Sequence, residues 1–342
     1  MSLKAMVTGG GGFLGGRIAQ MLLDRGDAVR VLGRRHYPWL ESGGAECVRG
    51  DVADSDVVRR ACCGCDIVYH VAALTGIWGK PDDFWRTNVE GTRNVVEACF
   101  AGRVPKLVYT SSPSVVFGQE ELCGVNESQP YPMEYLAAYP RSKAAAERIV
   151  LAAHGAALST VALRPHLIWG PGDPHLIPRV IALAKAGQLR QVGNGKNLVD
   201  ITFIDNAAEA HVLAGDAVGP EAACGGKAYF ISQGEPVSLW PWLNGILRVV
   251  GVKPVHHTLS FRPAFALGAC LEAVYLLLGV RHEPRMTRFL ACQLAKSHYF
   301  DIQAARTDLG YRPSISTSEG VDRLTQWLRE SSEPSCRLAV PA

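Results

Sequence analysis

The chain has 342 residues, of which 48% are hydrophobic and 20% are charged, so it is long enough to bury a large core and to form two lobes. Its formal net charge is only +3, and no long run of like charges occurs, which argues against a nucleic-acid partner. The first residues lack an apolar h-region followed by a cleavage site, so we expect no signal peptide and a cytoplasmic protein.

Short apolar segments alternate with helical patterns through the first half of the chain. The expected strands are KAMVT (4–8), AVRVL (28–32), AECVRGD (45–51), DIVYHVA (66–72), KLVYTSS (106–112) and STVALRP (159–165); the expected helices begin near 13, cover about 55–62 and 85–100, and begin at Tyr139. This alternation indicates βαβ units and a parallel sheet buried on both faces. We predict an α/β fold with a Rossmann-type, doubly wound parallel sheet and a smaller, interleaved α+β substrate lobe.

The regular alternation ends after Pro165. The next segments are a helix over 176–187, DITFID at 200–205, KAYFIS at 227–232, and a mostly helical remainder to about 330. We therefore predict a Rossmann domain over 1–165, to which segments near 200–232 return, and a second lobe over 166–330. Residues 331–342 are predicted to be a flexible tail.

One segment, AFALGACLEAVYLLLGV at 264–280, is apolar except for Glu272 and is flanked by Arg262 and Arg281. It falls short of the ~20 apolar residues of a membrane span and carries a charge in its middle. We interpret it as a buried helix of the second lobe, with a helix that makes peripheral contact with a membrane as the second interpretation.

The ten cysteines are irregularly spaced, and a reducing compartment would keep them as free thiols. The group CCGC at 62–65 has no second Cys or His cluster at a spacing that would complete a tetrahedral site. We therefore expect no bound metal.

A glycine-rich turn, TGGGGFLG at 8–15, follows the first strand and opens the first helix. Glycines there permit a tight turn and a close approach of the backbone to a pyrophosphate, while the helix N-terminus supplies amide donors. The sequence therefore predicts a dinucleotide site, and its phosphate-binding residues are Gly9, Gly12, Phe13, Leu14 and Gly15.

The second strand ends in Gly33-Arg34-Arg35, where many dinucleotide-binding chains carry an acid. An acid there accepts hydrogen bonds from the 2′-hydroxyl of NAD, whereas an arginine suits a 2′-phosphate. We therefore predict a preference for NADP(H) through Arg34 and Arg35. The alternative is that these arginines are solvated and that NAD(H) is used as well.

Further cofactor contacts are expected where the other strands end. Asp51 and Val52 follow the third strand near the expected adenine position, and Val71, Ala72 and Ala73 end the fourth as an apolar floor. Pro165 and Leu167, together with Tyr139 and Lys143, complete the predicted cofactor set.

Tyr139 and Lys143 stand four residues apart at the start of a helix, so their side chains share one face. A lysine ammonium beside a tyrosine lowers the pKa of the phenol, which makes Tyr139 usable as a general acid or base. Ser112, at the end of the fifth strand, is placed to hydrogen-bond the same substrate oxygen. Ser111 and Ser114 flank it and are alternatives for that role.

These motifs together resemble the extended short-chain dehydrogenase/reductases. The segments that carry the resemblance are TGGGGFLG, HVAA, TNVEGT at 87–92, YTSS, YPRSK, ALRPHLIWGPGD, and FDIQAARTDLGYRP at 300–313. The resemblance implies that Ser112, Tyr139 and Lys143 are the catalytic triad, that Lys143 also holds the nicotinamide ribose, and that Asn88 is a proton-relay or helix-distorting residue. It also implies a homodimer.

Within that superfamily the chain resembles the 3β-hydroxysteroid dehydrogenase-like branch. The segment 193–211 is similar to sterol-4-carboxylate 3-dehydrogenases, while RRHYPWL, TGIWG, RPHLIWGPGDPHLIPR and KAYFISQGEP resemble bacterial 2-alkyl-3-oxoalkanoate reductases of olefin biosynthesis. Both families act on an alcohol or ketone β to a carboxylate on a large hydrophobic body. Arg164, His166 and Arg179 are candidate contacts of that carboxylate, with structural roles as the alternative for each.

Two other functions share parts of this pattern. Nucleotide-sugar epimerases and dehydratases share the fold and the triad. Dehydratases, however, place an acidic pair beside the catalytic hydroxyl, where this chain has TSSPS, and an apolar second lobe suits the sugar diphosphate of either enzyme poorly. Sensors that bind NADP without turnover typically lose the tyrosine or the lysine, and this chain has both. An oxidoreductase therefore accounts best for the sequence.

Overall fold

The computed structural model describes residues 2–332. Its strands are β1 Lys4–Thr8, β2 Ala28–Gly33, β3 Glu46–Arg49, β4 Ile67–His70, β5 Lys106–Thr110, β6 Leu122–Val125, β7 Ser159–Pro165, β8 Ile168–Trp169, β9 Gln191–Val192, β10 Leu198–Val199, β11 Thr202–Phe203, β12 Lys227–Ile231, β13 Val237–Ser238, β14 Thr258–Leu259 and β15 His298–Phe300.

The helices lie between and after these strands. They are α1 Phe13–Asp24, α2 Pro38–Ser42, α3 Ser55–Cys62, α4 Pro81–Phe84, α5 Gly91–Gly102, α6 Ala138–Ala152, α7 Leu176–Lys185, α8 Ile204–Ala217, α9 Leu239–Val249, α10 Phe261–Leu277, α11 Arg288–Ala295, α12 Gln303–Asp308 and α13 Thr317–Ser332.

The central sheet has seven parallel strands in the order β12-β7-β5-β4-β1-β2-β3. Every residue of β4 and β7 is buried, as expected for strands covered by helices on both faces. Two hydrophobic clusters, one on each face, pack helices such as α1 and α3 against the sheet. The predicted doubly wound α/β fold is confirmed.

The second half of the chain returns to this sheet once, through β12 beside β7. It also forms two short strand pairs and, together with β6 from the first half, a small mixed sheet in the order β13-β10-β15-β6. The division into lobes at residue 165 stays a prediction. Residues 331 and 332 of the predicted tail end helix α13, and the rest of that tail lies outside the described residues.

Helix α10 differs from its first interpretation as a buried helix. Of its seventeen residues only Ala264, Gly268 and Glu272 are buried. Gly268 allows the close crossing with α11, because a Cβ there would lie 2.5 Å from the carbonyl carbon of Thr287. Glu272 turns inward and accepts hydrogen bonds from the backbone and side chain of Arg288. The outward face is therefore left apolar, and within residues 2–332 no helix is long and apolar enough to cross a bilayer.

Candidate active site

The predicted site residues gather at one edge of the central sheet. Because all seven strands are parallel, their carboxyl ends meet there, which is where ligands bind in this architecture. The residues that follow these ends are Gly9 after β1, Arg34 and Arg35 after β2, Asp51 and Val52 after β3, Val71 to Ala73 after β4, Ser112 after β5, and Leu167 after β7.

The glycine loop leaves an open cradle above β1. Gly9 has a φ of +66°, and a Cβ there would lie 2.9 Å from the Cα of Ala72. A Cβ on Gly15 would lie 2.3 Å from the Gly9 carbonyl oxygen, so only glycine permits this approach of loop and helix. Gly12 precedes α1, whose first turn contains no acidic residue. The backbone and helix dipole therefore fit a dinucleotide pyrophosphate.

A buried histidine fixes this loop to the neighbouring strand. The Thr8 Oγ1 accepts the amides of Val71 and Ala72, each at 3.1 Å, and bonds the Nδ1 of His70 at 2.8 Å. The Nε2 of His70 bonds the Oγ1 of Thr92 at 2.9 Å, and that hydroxyl donates to the carbonyl of Asn88. Since Thr92 donates onward, it accepts from His70, which is therefore neutral with its proton on Nε2. Burial, with a smaller effect of the Lys143 charge, lowers the pKa of His70 to about 3.

The end of β2 is covered by an aromatic ring. Arg34 and Arg35 are exposed there. The ring of Tyr37 packs over Gly11 and Gly33, where a Cβ would lie 1.9 and 2.6 Å from its nearest atoms. Asp51 accepts the Ala53 amide at 3.0 Å. Glycines at 11 and 33 thus let Tyr37 form a wall of the predicted adenosine site, a role that the sequence pattern did not indicate.

Helix α6 places Tyr139, Lys143 and Glu147 on one face, each one turn after the last. The Lys143 Nζ donates to the Thr110 carbonyl at 2.6 Å and lies 4.2 Å from the centre of the Tyr109 ring. Burial lowers the pKa of Lys143 to about 7, against the opposing effect of the Glu147 carboxylate.

The pKa of Tyr139 differs from the sequence expectation. Burial raises it above the ordinary value, and a hydrogen bond with Ser112 offsets part of this shift. The reason is that the Lys143 ammonium is directed at Thr110. Ser112 is therefore the neighbour whose hydrogen bond lowers the pKa of Tyr139 against the effect of burial.

The three candidate serines occupy different places. The Ser112 hydroxyl accepts a hydrogen bond from the Ser114 hydroxyl at 2.9 Å. Ser111 is buried near Glu147, whose pKa is lowered chiefly by Arg164 against the opposing effect of burial. Glu147 also holds a buried, two-pronged ion pair with Arg164 at 2.7 and 2.9 Å. This pair anchors α6 to β7, which agrees with the structural alternative for Arg164, although the sequence did not identify Glu147 as its partner.

Asn88 lies in a π-helical segment, Trp85–Glu90, which interrupts the predicted helix 85–100. Its side-chain amide donates to the Leu74 carbonyl at 3.0 Å and to the Ser142 hydroxyl at 2.9 Å, and its Oδ1 accepts the Leu74 amide at 2.7 Å. These bonds tie the loop after β4 to α6. Such π-bulges are frequent at functional sites.

A cavity of about 180 Å³ opens beside Ser112 and Tyr139. Its apolar wall comes from both halves of the chain and includes Ile77, Phe117, Leu167, Phe289 and Phe300. Its polar lining consists of Ser112, Ser114, Tyr139, His166, Gln293 and His298. Pro165 also lines it, and Leu167 holds a φ of +38°, which is strained for a leucine.

The three candidate carboxylate contacts separate in the structure. Arg164 is committed to Glu147, and Arg179 pairs with Glu283 on the surface. Neither of these arginines lines the cavity, whereas His166 does. The structural alternative is therefore favoured for the two arginines.

A Rossmann sheet with a glycine-loop cradle, and a serine, a tyrosine and a lysine converging at its carboxyl edge, defines a short-chain dehydrogenase/reductase type of oxidoreductase. A model of the 3-beta hydroxysteroid dehydrogenase/isomerase family matches residues 6–261, and the chain belongs to that family. The predicted family is thereby confirmed, as is the prediction that this protein is an oxidoreductase.

Individual relatives match along nearly the whole chain. It is 49% identical over 328 residues to a 2-alkyl-3-oxoalkanoate reductase from Shewanella oneidensis, and the matched region covers 94% of this chain and 85% of that protein. It is 33% identical over 328 residues to a mouse sterol-4-alpha-carboxylate 3-dehydrogenase (decarboxylating), covering 94% and 90% respectively. The solved structure of MoeE5 in complex with UDP-glucose and NAD matches with a TM-score of 0.75 and 26% identity, covering 96% of this chain and 100% of that one.

Proposed function

We propose that this protein is a 2-alkyl-3-oxoalkanoate reductase that uses NADP(H). The resemblance to such reductases implies that its reaction is a step of olefin biosynthesis. The observation that carries the proposal is the 49% identity to such a reductase, which exceeds the 33% identity to the sterol dehydrogenase. The apolar cavity beside Ser112 and Tyr139 suits a ketone on a hydrocarbon body. Decarboxylating oxidation of a 4α-carboxysterol is the second candidate, because it needs the same alcohol or ketone β to a carboxylate.

The nicotinamide cofactor supplies or accepts a hydride when it is bound. Gly9, Gly12 and Gly15 would hold its pyrophosphate at the N-terminus of α1, and Val71 to Ala73 would lie beside it. The buried Lys143 of α6, whose ammonium reaches the end of β5, would hold the nicotinamide ribose. Arg34 and Arg35 would favour a 2′-phosphate, which makes NADP(H) the preferred cofactor.

The proton chemistry belongs to the chain's own residues. Ser112 would donate a hydrogen bond to the substrate oxygen, and Tyr139 would transfer its phenolic proton to that oxygen during reduction. The phenol of Tyr139 is protonated at neutral pH and can therefore donate, and its hydrogen bond with Ser112 offsets part of the rise in pKa that burial causes. Asn88 would serve to shape the helix, because its side-chain bonds go to Leu74 and Ser142.

The proposed reaction is tested by nicotinamide absorbance with the purified protein and two substrates. One is a long-chain 2-alkyl-3-hydroxy acid with its 3-oxo form, and the other is a 4α-carboxy-3β-hydroxysterol. We expect turnover of the acyl-chain compound alone, with NADP(H) preferred to NAD(H). Turnover of the sterol alone, with release of carbon dioxide, would replace this assignment by the second candidate.

We also propose that helix α10 rests on an anionic membrane surface. Leu276, Leu277 and Leu278 are 71%, 86% and 69% exposed at its end, and Arg262 and Arg281 flank the apolar face. Apolar side chains beside cations are typical of interfacial helices. The chain just after α10 also lies near the cavity wall, because Trp78, which follows the cavity residue Ile77, donates to the carbonyl of Val280. A hydrophobic substrate could then enter from the lipid.

Vesicle flotation tests this contact. With vesicles that contain phosphatidylglycerol, we expect the bound fraction of a Leu276→Ser/Leu277→Ser/Leu278→Ser variant to fall by about tenfold or more, since each buried leucine contributes about 1.5–3 kcal/mol. Met133→Ser, on a fully exposed loop residue, should bind as the wild type does. We also propose that the protein is a homodimer in solution. Light scattering measures the molar mass of the wild type and of the triple variant. A triple variant that becomes monomeric would instead make this face the dimer interface.

A further inference from the structure

The cavity contains a pair of histidines that take no part in the proton transfer from Tyr139 to the substrate. The Nε2 of His166 lies 2.6 Å from the Nδ1 of His298, and both rings line the cavity. Their neighbours are aromatic: the Phe117 ring meets His298 edge-on at 5.5 Å, and Phe300 lies 5.5 Å from His166. Burying two imidazoles in an apolar wall costs free energy unless their polar atoms are used.

The hydrogen bonds fix the protons of this pair. The Nε2 of His298 contacts the Gln293 carbonyl at 3.0 Å, and a carbonyl can only accept, so this nitrogen carries a hydrogen. The Nδ1 of a neutral His298 must therefore accept, and the Nε2 of His166 donates to it. That arrangement leaves the Nδ1 of His166 as a lone pair without a hydrogen-bond partner among residues 2–332.

The backbone holds His166 firmly in this position. Its amide donates to the Ile231 carbonyl at 3.1 Å, and its carbonyl accepts the Thr202 hydroxyl at 2.6 Å. The next residue, Leu167, holds the strained φ of +38°. Strain retained beside a catalytic cavity is typical of functional positions.

We propose that His166, supported by His298 and Gln293, is the subsite for the substrate's carboxyl group and binds that group together with one proton. The inference rests on the proposed function. An ionised carboxylate cannot bond a lone pair, so a proton from solvent must join it at the Nδ1 of His166. Gln293 makes no side-chain hydrogen bond within the described residues, and its amide can donate to the second oxygen. No covalent bond to carbon changes in this step.

The consequence is a pH-dependent affinity. Above the pKa of the free acid, the complex holds one more proton than its separate components, so affinity falls as pH rises, by up to about tenfold per unit. The titratable groups around His166 are His298 across the hydrogen bond, Tyr139 across the cavity, and Asp200, which accepts the Phe300 amide behind β15. Burial keeps His166 and His298 neutral by lowering both pKa values.

The test compares a long-chain 2-alkyl-3-hydroxy acid with its methyl ester, both oxidised with NADP⁺. The ester keeps the reacting alcohol and the hydrocarbon body but lacks the ionisable carboxyl group, and the protein is the same in both assays. The ratio of acid to ester kcat/KM therefore isolates the carboxyl contact. For the wild type we expect that ratio to fall by about tenfold from pH 7 to pH 8. His166→Phe should reduce the ratio by tenfold or more and leave the ester within about threefold.

Two further variants separate recognition from folding. His166→Gln supplies an amide donor that needs no proton, so acid turnover should partly return with a ratio that no longer depends on pH. His154→Gln, at the opposite edge of the sheet beside Thr160, should behave as the wild type does. The subsite would be overturned if His166→Phe reduced kcat/KM equally for the acid and the ester. It would also be overturned if the acid-to-ester ratio of the wild type did not depend on pH.

Failure of the proposed function is distinguishable from failure of the subsite. If the wild type oxidises neither compound, calorimetry with a non-reacting 2-alkyl alkanoic acid, in buffers of different ionisation heat, counts the protons taken up on binding. If the wild type takes up about one proton when the acid binds, and His166→Phe takes up none, the subsite is supported even though the proposed reaction is not. Binding without uptake would overturn it.

Discussion

Replacing Tyr139 by phenylalanine should reduce kcat by about 10³-fold or more, within the range of general acid–base catalysis, while NADPH binding stays within about twofold. The ring would keep its edge contact with Phe84, whose centre lies 6.5 Å away, so the cavity keeps its shape. Only the hydroxyl that shares a hydrogen bond with Ser112 is lost. A loss of 10³ corresponds to about 4 kcal/mol of transition-state stabilisation. Stopped-flow turnover and calorimetric titration of NADPH measure the two quantities.

A matched control is Tyr135→Phe. Tyr135 is half-buried on the segment before α6, and its hydroxyl donates to the Val115 carbonyl at 2.9 Å, away from the cavity lining. This variant should lose about 1 kcal/mol of stability and keep its activity. If Tyr139→Phe retained more than a tenth of wild-type kcat, another group would have to be the acid, and Ser112 would be the first to examine.

Parts of this site follow from local sequence because local rules determine them. The strand 159–165 is buried along its whole length, and its β-branched and apolar residues predict a buried strand, so its limits agree with the structure. Tyr139 and Lys143 share a face because helical geometry requires it. Glu147 continues the same face, but its importance depends on Arg164 from β7, and that partner is set by tertiary packing.

Other features depend on contacts between distant parts of the chain. His298 stands 132 residues after His166, and only the return of β15 to the cavity brings the two rings together. The predicted helix 85–100 is interrupted because Asn88 bonds to Leu74 and Ser142, which lie in other elements. Helix α10 is apolar all round, a pattern that normally indicates burial. Only its Gly268 face packs on α11, so most of its apolar surface is exposed instead.

The cofactor preference is the second large effect that we expect. Replacing Arg34 and Arg35 together by alanine should reduce kcat/KM for NADPH by about 100-fold, since each exposed contact to a phosphate dianion contributes roughly 1.4 kcal/mol after solvent screening. The value for NADH should change by less than about threefold, because NADH has no 2′-phosphate. Gly33 and Tyr37 would still shape the adenosine site, so the adenine contact is kept. Initial rates with each cofactor measure this ratio.

Ionic strength and a charge-matched variant distinguish a phosphate contact from a general effect of charge. Raising ionic strength should weaken the wild-type preference for NADPH, since exposed charges are screened, and should leave the double variant unaffected. Arg59→Ala/Arg60→Ala removes the same two charges from the neighbouring helix α3 and should preserve the preference. Equal losses with NADPH and NADH in Arg34→Ala/Arg35→Ala would show that these arginines support the fold of the β2 turn rather than the phosphate. The single variants then show how much each arginine contributes. Loss of a guanidinium that forms two hydrogen bonds with the phosphate should reduce kcat/KM for NADPH more than loss of one that only adds positive charge nearby.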